Sequence, residues 1–236
     1  MRLTKRCADL IHLLHAARWL TTGQVRRRFF PQATADAARK RLRKLTKGGY
    51  LVRFREHQMS EALFTLGREG KRILERSGND EIVLERKPPK QLAHFMATND
   101  LRIAAELSGL LEYFFACWEL PGVEWHYPVI PDAVFSLRNR TFAAEIDRGL
   151  ETVRFFVGTK VAWYREGPEG FPLAAILIVT DRRARMHSLA RAIAGEDRRF
   201  LFTTIELLRE QGLLGPIFFR QADGEAAPLL SLLEVS

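Results

Sequence analysis

The run FPLAAILIVT, residues 171–180, is apolar almost without a break and stops at Asp181. A membrane-spanning helix needs roughly 18 such residues. This run is too short for that and does not alternate, so it suits a strand buried within a sheet. LETVRFFVGTKVAWYRE reads as a helix before it and DRRARMHSLARAIA as a helix after it, with RFLFTTIE a further strand and LLREQGLLGPIF a closing segment. Upstream, VIPDAVF and RTFAAEID read as strands. QLAHFMATNDLRIAAELSGLLEYFF reads as one long amphipathic helix with Leu101, Ala104, Ala105, Leu107 and Leu111 apolar. Helix, strand hairpin, helix, buried strand, helix, strand predicts an α/β layout with one mixed central sheet, α+β when the whole chain is counted. Tyr113, Phe114, Phe115 and Trp118 are expected as core under that sheet.

Charge divides the chain. Residues 1–90 hold 22 Lys and Arg against 9 Asp and Glu, net +13, whereas residues 91–236 hold 15 against 19, net −4. The front carries the electrostatic footprint of a polyanion binder and the back does not. With 236 residues and 47% hydrophobic content there is material for one large core or two small ones. SGNDEIVLERKPPKQ, residues 77–91, mixes turn formers, alternating charge and a Pro-Pro pair, and reads as a linker between domains at 1–76 and 92–236.

In the front domain Leu10, Ile11, Leu14 and Ala17 fall at helical spacing, and Thr21 or Thr22 can cap a short helix, TTGQVRRRFF, that Pro31 ends. ATADAARKRLRKLTKGGYL follows, with Thr34 as its cap, Ala38, Leu42 and Leu45 toward the core, and Gly48 or Gly49 closing it. Asp36, Arg39, Lys40, Arg43, Lys44 and Lys47 fill the opposite face. YLVRFRE and EALFTLG read as strands around the tip EHQMS, and GREGKRILE begins another helix. Three helices and then a two-stranded hairpin is the order of a winged helix-turn-helix. Its basic third helix can enter the major groove while a wing bearing Arg53 and Arg55 follows the phosphates. Double-stranded DNA is the expected partner, contacted by Arg39, Lys40, Arg43, Lys44, Lys47, Arg53 and Arg55; RNA or a protein surface is the alternative. Winged helices often read paired half-sites, so a homodimer is open on that ground, although no heptad run marks one.

Several chemistries are not indicated. Cys7 and Cys117 stand far apart without a second pair, which gives neither a disulfide framework nor a four-ligand zinc site. The apolar positions of the opening stretch are broken by His12, His15 and Arg18 and no small-residue cleavage site follows, so it reads as a helix and not as a signal peptide. No membrane partner is expected, and a reducing cytoplasm fits best. There is no glycine-rich nucleotide loop, no serine in a G-x-S-x-G elbow, and no histidine run of the kind a tyrosine relaxase needs. His94 is expected to cap or bond within its helix.

PDAVFSLRNRTFAAEIDRG, residues 131–149, carries Asp132, Glu145 and Asp147. Strand alternation puts Glu145 and Asp147 on one face and Ile146 on the other, toward the core. Pairing through the turn at residues 137–141 would bring Asp132 near Glu145. Carboxylates so placed repel. A Mg²⁺ held by Asp132 and Glu145 would relieve that and could activate water beside a phosphate. The plainer alternative has Asp132 capping a turn, with Glu145 and Asp147 bonded to Arg148, Arg154 or the backbone.

PDAVF followed by FAAEIDRG resembles the PD-(D/E)xK core of restriction-endonuclease-like folds. More narrowly, a winged helix, then HFMATNDLRIA, PDAVFSL, FAAEIDRGLET, and Lys160 with Tyr164 on the next helix resembles the replication-relaxation family of bacterial plasmids and mobile elements. The resemblance covers nearly the whole chain. It implies a DNA-binding protein of plasmid or mobile-element replication or mobilisation, working with other such proteins, whose second domain has a restriction-endonuclease-like fold. Asp132 stands for the motif's first acid and Glu145 for the second; Asp147 occupies the place of the lysine, and Lys160 could supply the displaced positive charge. The rival is a transcriptional regulator whose second domain only dimerises or binds a partner.

Overall fold

The computed structural model describes residues 3–54, 61–79, 81–122, 129–165, 173–193 and 199–233. Arg55 and the expected wing tip fall outside the described residues. The chain divides into two compact units, Met1–Asn99 and Asp100–Ser236.

In the first unit, α1 (Lys5–Ala17) buries Leu10, Ile11, Leu14 and Ala17. Strand β1 (Leu20–Thr21) leads into α2 (Thr22–Phe29). Thr21 and Gln24 form a reciprocal capping box at its start, which satisfies two backbone donors that a helix start otherwise leaves open. Helix α3 (Ala35–Lys47) is capped by the Thr34 side chain and buries Ala38, Leu42 and Leu45. Gly49, at φ +73°, turns the chain out of it, a conformation only glycine takes cheaply. β2 (Leu51–Phe54) and β3 (Leu63–Leu66) pair antiparallel, with Arg53 opposite Phe64. β1 adds to the other edge of β3, and α4 (Arg68–Arg76) follows. Within residues 77–91, Ile82 is buried against Ile11, Leu66 and Leu74.

Helix α5 (Leu92–Leu107) begins in this unit. Arg18 sits at φ +56°, uncommon for a residue with a side chain. Asn99 fastens the turn around it: its buried amide donates to the carbonyls of Ala17 at 3.0 Å and Trp19 at 2.8 Å. Asn99→Ala would leave both carbonyls without that donor. It should cost about 2–4 kcal/mol in urea unfolding; a loss under about 0.5 kcal/mol would show that the clamp is not needed.

The second unit corrects the long-helix expectation. α5 stops at Leu107, Gly109 takes φ +69°, and residues 111–116 run extended as β4 (Leu111–Ala116). Gly109 and the alternating burial of LEYFFA are the local signals for the change. Phe114 is buried and stacks on Phe135, as expected of core, whereas Tyr113, Phe115 and Trp118 are only half-buried. β5 (Ala133–Leu137) and β6 (Arg140–Asp147) form a hairpin through Arg138 and Asn139, both at positive φ. A two-residue turn of that hand matches the strand twist. Glu112 on β4 accepts from Ser136 Oγ and from the Asn139 N–H, which ties the turn to the neighbouring strand.

After β6 come α6 (Val153–Phe156), a π-helical turn (Val157–Val161) and α7 (Ala162–Arg165). β7 (Leu173–Thr180), α8 (Arg183–Ile193), β8 (Phe200–Thr204), α9 (Ile205–Gln211), β9 (Pro216–Phe218) and β10 (Ala227–Pro228) complete the unit. The sheet order is β4-β5-β6-β7-β8, antiparallel across β4, β5 and β6 and parallel across β6, β7 and β8. The unit is therefore α/β with a mixed central sheet. The unbroken apolar run before Asp181 forms its buried β7, with Ile176, Leu177, Ile178 and Val179 all at 0% exposure. Phe156, Val161 and Tyr164, with Met186, Leu189 and Ile193 of α8, cluster with Ala143, Ile176, Ile178, Phe200 and Phe202 of the sheet.

Candidate functional site

Residue 145 occupies the same sheet face as Ala143, because side chains alternate along a strand. That face is the one under α6–α8, so Glu145 is fully buried and its cross-strand neighbour is Ile178. Ala133 pairs with Ala144, which sets Asp132 opposite Glu145. Asp132 Oδ2 accepts from the N–H of Ile146 at 2.7 Å.

One helix supplies both groups that meet Glu145. Lys160 Nζ lies 2.5 Å from Oε2, and Tyr164 Oη donates to Oε1 at 2.7 Å. Residues four apart lie on one face of a helix, and here the π-helical turn falls between Phe156 and Tyr164. Phe156, Lys160 and Tyr164 accordingly form one stripe, with Lys160 Nζ also over the Phe156 ring at 5.6 Å.

Burial pushes the Glu145 carboxyl up to about 7, helped by the neighbouring Asp132 charge and opposed by Lys160 and Tyr164. Lys160, whose side chain is 25% exposed, suffers some desolvation, yet Glu145 and Asp132 together raise its affinity for a proton. The two shifts point to one physical state: the cost of burial falls on Glu145, and the lysine stays charged at the rim.

This has a pH consequence for the metal-free chain. Unfolded Glu145 titrates near 4.5 and folded Glu145 near 7, so between those values the folded state holds the extra proton. Stability from this group is full below the lower value and is lost as pH rises through the higher one, on the order of 3 kcal/mol. Urea unfolding in EDTA should show that decline, and Glu145→Gln should flatten it; equal slopes in both proteins would contradict it.

Asp147 has other company. Its Oδ2 accepts from Arg185 Nε at 2.9 Å and Nη2 at 2.7 Å, and its Oδ1 from the Gly149 N–H at 2.5 Å. Arg148 pairs instead with Asp181. The sequence reading missed Arg185 as the clamp and Tyr164 as a ligand of Glu145. The basic run after Asp181 was the only local hint of the first.

Asp132 and Glu145 form a two-carboxylate donor set whose mutual repulsion a hard cation would relieve. Mg²⁺ is commonly bound by one or two carboxylates and waters, so the residues fit such an ion in chemistry. Among the described residues no group of three His, Cys, Asp or Glu could hold a metal.

In the first unit, Arg39, Arg43, Lys44 and Lys47 are exposed on α3, and Arg53 is exposed on β2. Lys40 pairs with Asp36 at 2.8 Å, which holds the Asp36 carboxyl below its ordinary value. A cavity of about 450 Å³ is lined by Arg39, Arg43 and Arg53 together with Glu61, Thr22 and Phe64. The Glu61 carboxylate accepts from the Gly23 N–H at the start of α2.

A family model described as replication-relaxation matches residues 11–169, about two thirds of the chain. The chain belongs to the replication-relaxation family. That membership suggests a role in the replication of plasmids or mobile elements. No curated protein and no solved structure matches this replication-relaxation protein. No helix among the described residues is long and apolar enough to cross a membrane.

Proposed function

We propose that this replication-relaxation protein is a cytoplasmic DNA-binding protein of plasmid or mobile-element replication or mobilisation, working with other proteins of that process. Its first unit is a winged helix-turn-helix that holds double-stranded DNA. Its second is a restriction-endonuclease-like domain with a Mg²⁺-dependent nicking centre at Asp132, Glu145 and Lys160. The observation that carries the reading is the Lys160–Glu145–Asp132 constellation. The motif's lysine position is taken by Asp147, and a lysine from the following helix stands at the second acid instead. The order helix, three antiparallel strands, helix and parallel strand supports it. On the DNA side, the exposed arginines of α3 and β2 around one cavity support phosphate contacts.

When bound by Asp132 and Glu145, Mg²⁺ supplies Lewis-acid polarisation of the phosphate and an activated water. Lys160 sets a positive charge beside Glu145, where it can offset charge that develops on a phosphodiester. Tyr164 fixes the other Glu145 oxygen, and Arg185 keeps Asp147 out of the set. Calorimetric titration of Mn²⁺ and Mg²⁺ into the intact chain, followed by incubation with supercoiled plasmid, tests the second unit. Saturable heat and relaxed plasmid are expected. No heat and intact supercoils would leave a DNA-binding protein on an inert nuclease-like scaffold.

A further inference from the structure

The helical segment that presents Lys160 and Tyr164 inward carries a different chemistry on its neighbouring face. Phe155 is 54% exposed and Trp163 is 40% exposed, which is unusual for large aromatic side chains beside a well-filled core. Phe155 and Trp163 lie eight apart on the segment with the π-helical turn between them, as do Phe156 and Tyr164. A side-chain carbon placed on Gly158 would meet nothing within 4 Å, so the space between them is open. Arg154 and Arg165 are exposed on the same segment, and Leu150, 81% exposed, precedes it.

Flat aromatic faces flanked by guanidinium groups match unpaired nucleotides better than they match a duplex or an apolar protein surface. Each base offers a ring face to stack on, and each phosphate a charge to meet an arginine. A purely apolar partner would leave the arginines desolvated, and a duplex hides its base faces.

We propose that the Phe155–Trp163 face of the second unit binds single-stranded DNA, with bases stacked on the two aromatic rings and phosphates met by Arg154 and Arg165. The stripe adjoins the one bearing Lys160, so a bound strand passes beside the acid cluster. Binding here goes beyond the nicking reading and does not depend on it, because stacking requires no metal.

The test measures fluorescence anisotropy of a labelled single-stranded oligothymidylate and of a labelled duplex on the intact chain in EDTA. Phe155→Ala/Trp163→Ala is expected to weaken single-strand binding by about 10- to 100-fold and leave duplex binding unchanged; Trp163→Phe should retain most of the affinity. Arg154→Ala/Arg165→Ala should weaken single-strand binding and lower its salt dependence by about one unit of log–log slope. Arg39→Ala/Arg43→Ala should do the reverse, losing duplex and keeping single strand, so failure of the duplex reading is separable. Unchanged single-strand affinity in the Phe155/Trp163 double variant would overturn the proposal. So would an equal loss on both DNAs, or a wild-type dimer that the substitutions split without altering single-strand affinity.

Discussion

Asp132→Ala/Glu145→Ala removes metal binding and plasmid nicking together and leaves duplex binding within about twofold. With both acids gone the donor set is gone, and a rate that depends on an activated water should fall to background, a loss of at least about 1,000-fold. Folding is preserved or improved above neutral pH, because the variant deletes a buried carboxylate that burial and Asp132 already push toward its protonated form. Lys160 then loses its Glu145 partner, but at 25% exposure it can turn to water. The readouts are Mn²⁺ calorimetry and the fraction of nicked plasmid, with circular dichroism as the control for folding. Nicking that survives in the double variant would remove the acid cluster from the chemistry. Lys160→Ala separates binding from turnover: metal still binds, and the rate falls.

Replacing Arg39, Arg43 and Arg53 together by alanine weakens binding to duplex DNA on the order of 100-fold at physiological salt and lowers the log–log salt slope by about 2 to 3. All three side chains are exposed, and they line one cavity, so the substitution removes charge without opening the core. The loss should be similar across sequences, as expected of phosphate contacts. Affinity within twofold of wild type, measured by anisotropy against salt, would move the duplex site elsewhere. Lys40→Ala is the internal contrast. Its ammonium is paired with Asp36, so its removal should cost less than any of the arginines.

Short-range physics made much of this protein readable as a sequence. The apolar period of α3 over Ala38, Leu42 and Leu45, the Thr34 cap and the glycines after it are decided within one or two turns of chain, and the structure repeats them. The run at 171–180 had no polar face to show to water and suited an interior strand, and residues 173–180 form one. Strand alternation also determined that Glu145 and Asp147 share a side of β6; the turn read at residues 137–141 is tighter in the structure, two residues, and that register sets Asp132 opposite Glu145. The extended β4 was hidden because Leu111, Tyr113, Phe114 and Phe115 satisfy a helical stripe as readily as a strand once Gly109 is read through.

Partner choice was a matter for tertiary structure alone. The two acids on one face of β6 received different partners, Lys160 with Tyr164 for Glu145 and Arg185 for Asp147. Those partners lie 15 to 38 residues away in sequence. Burial is likewise a property of the packed unit: the cover of helix over sheet, with the Asp132 charge beside it, moves Glu145 up to about 7. Local sequence determined the elements and which side chains each one offers, because those depend on neighbours in the chain. Which charges meet, and in what dielectric, was decided by the fold, because Coulomb energy depends on distance through space.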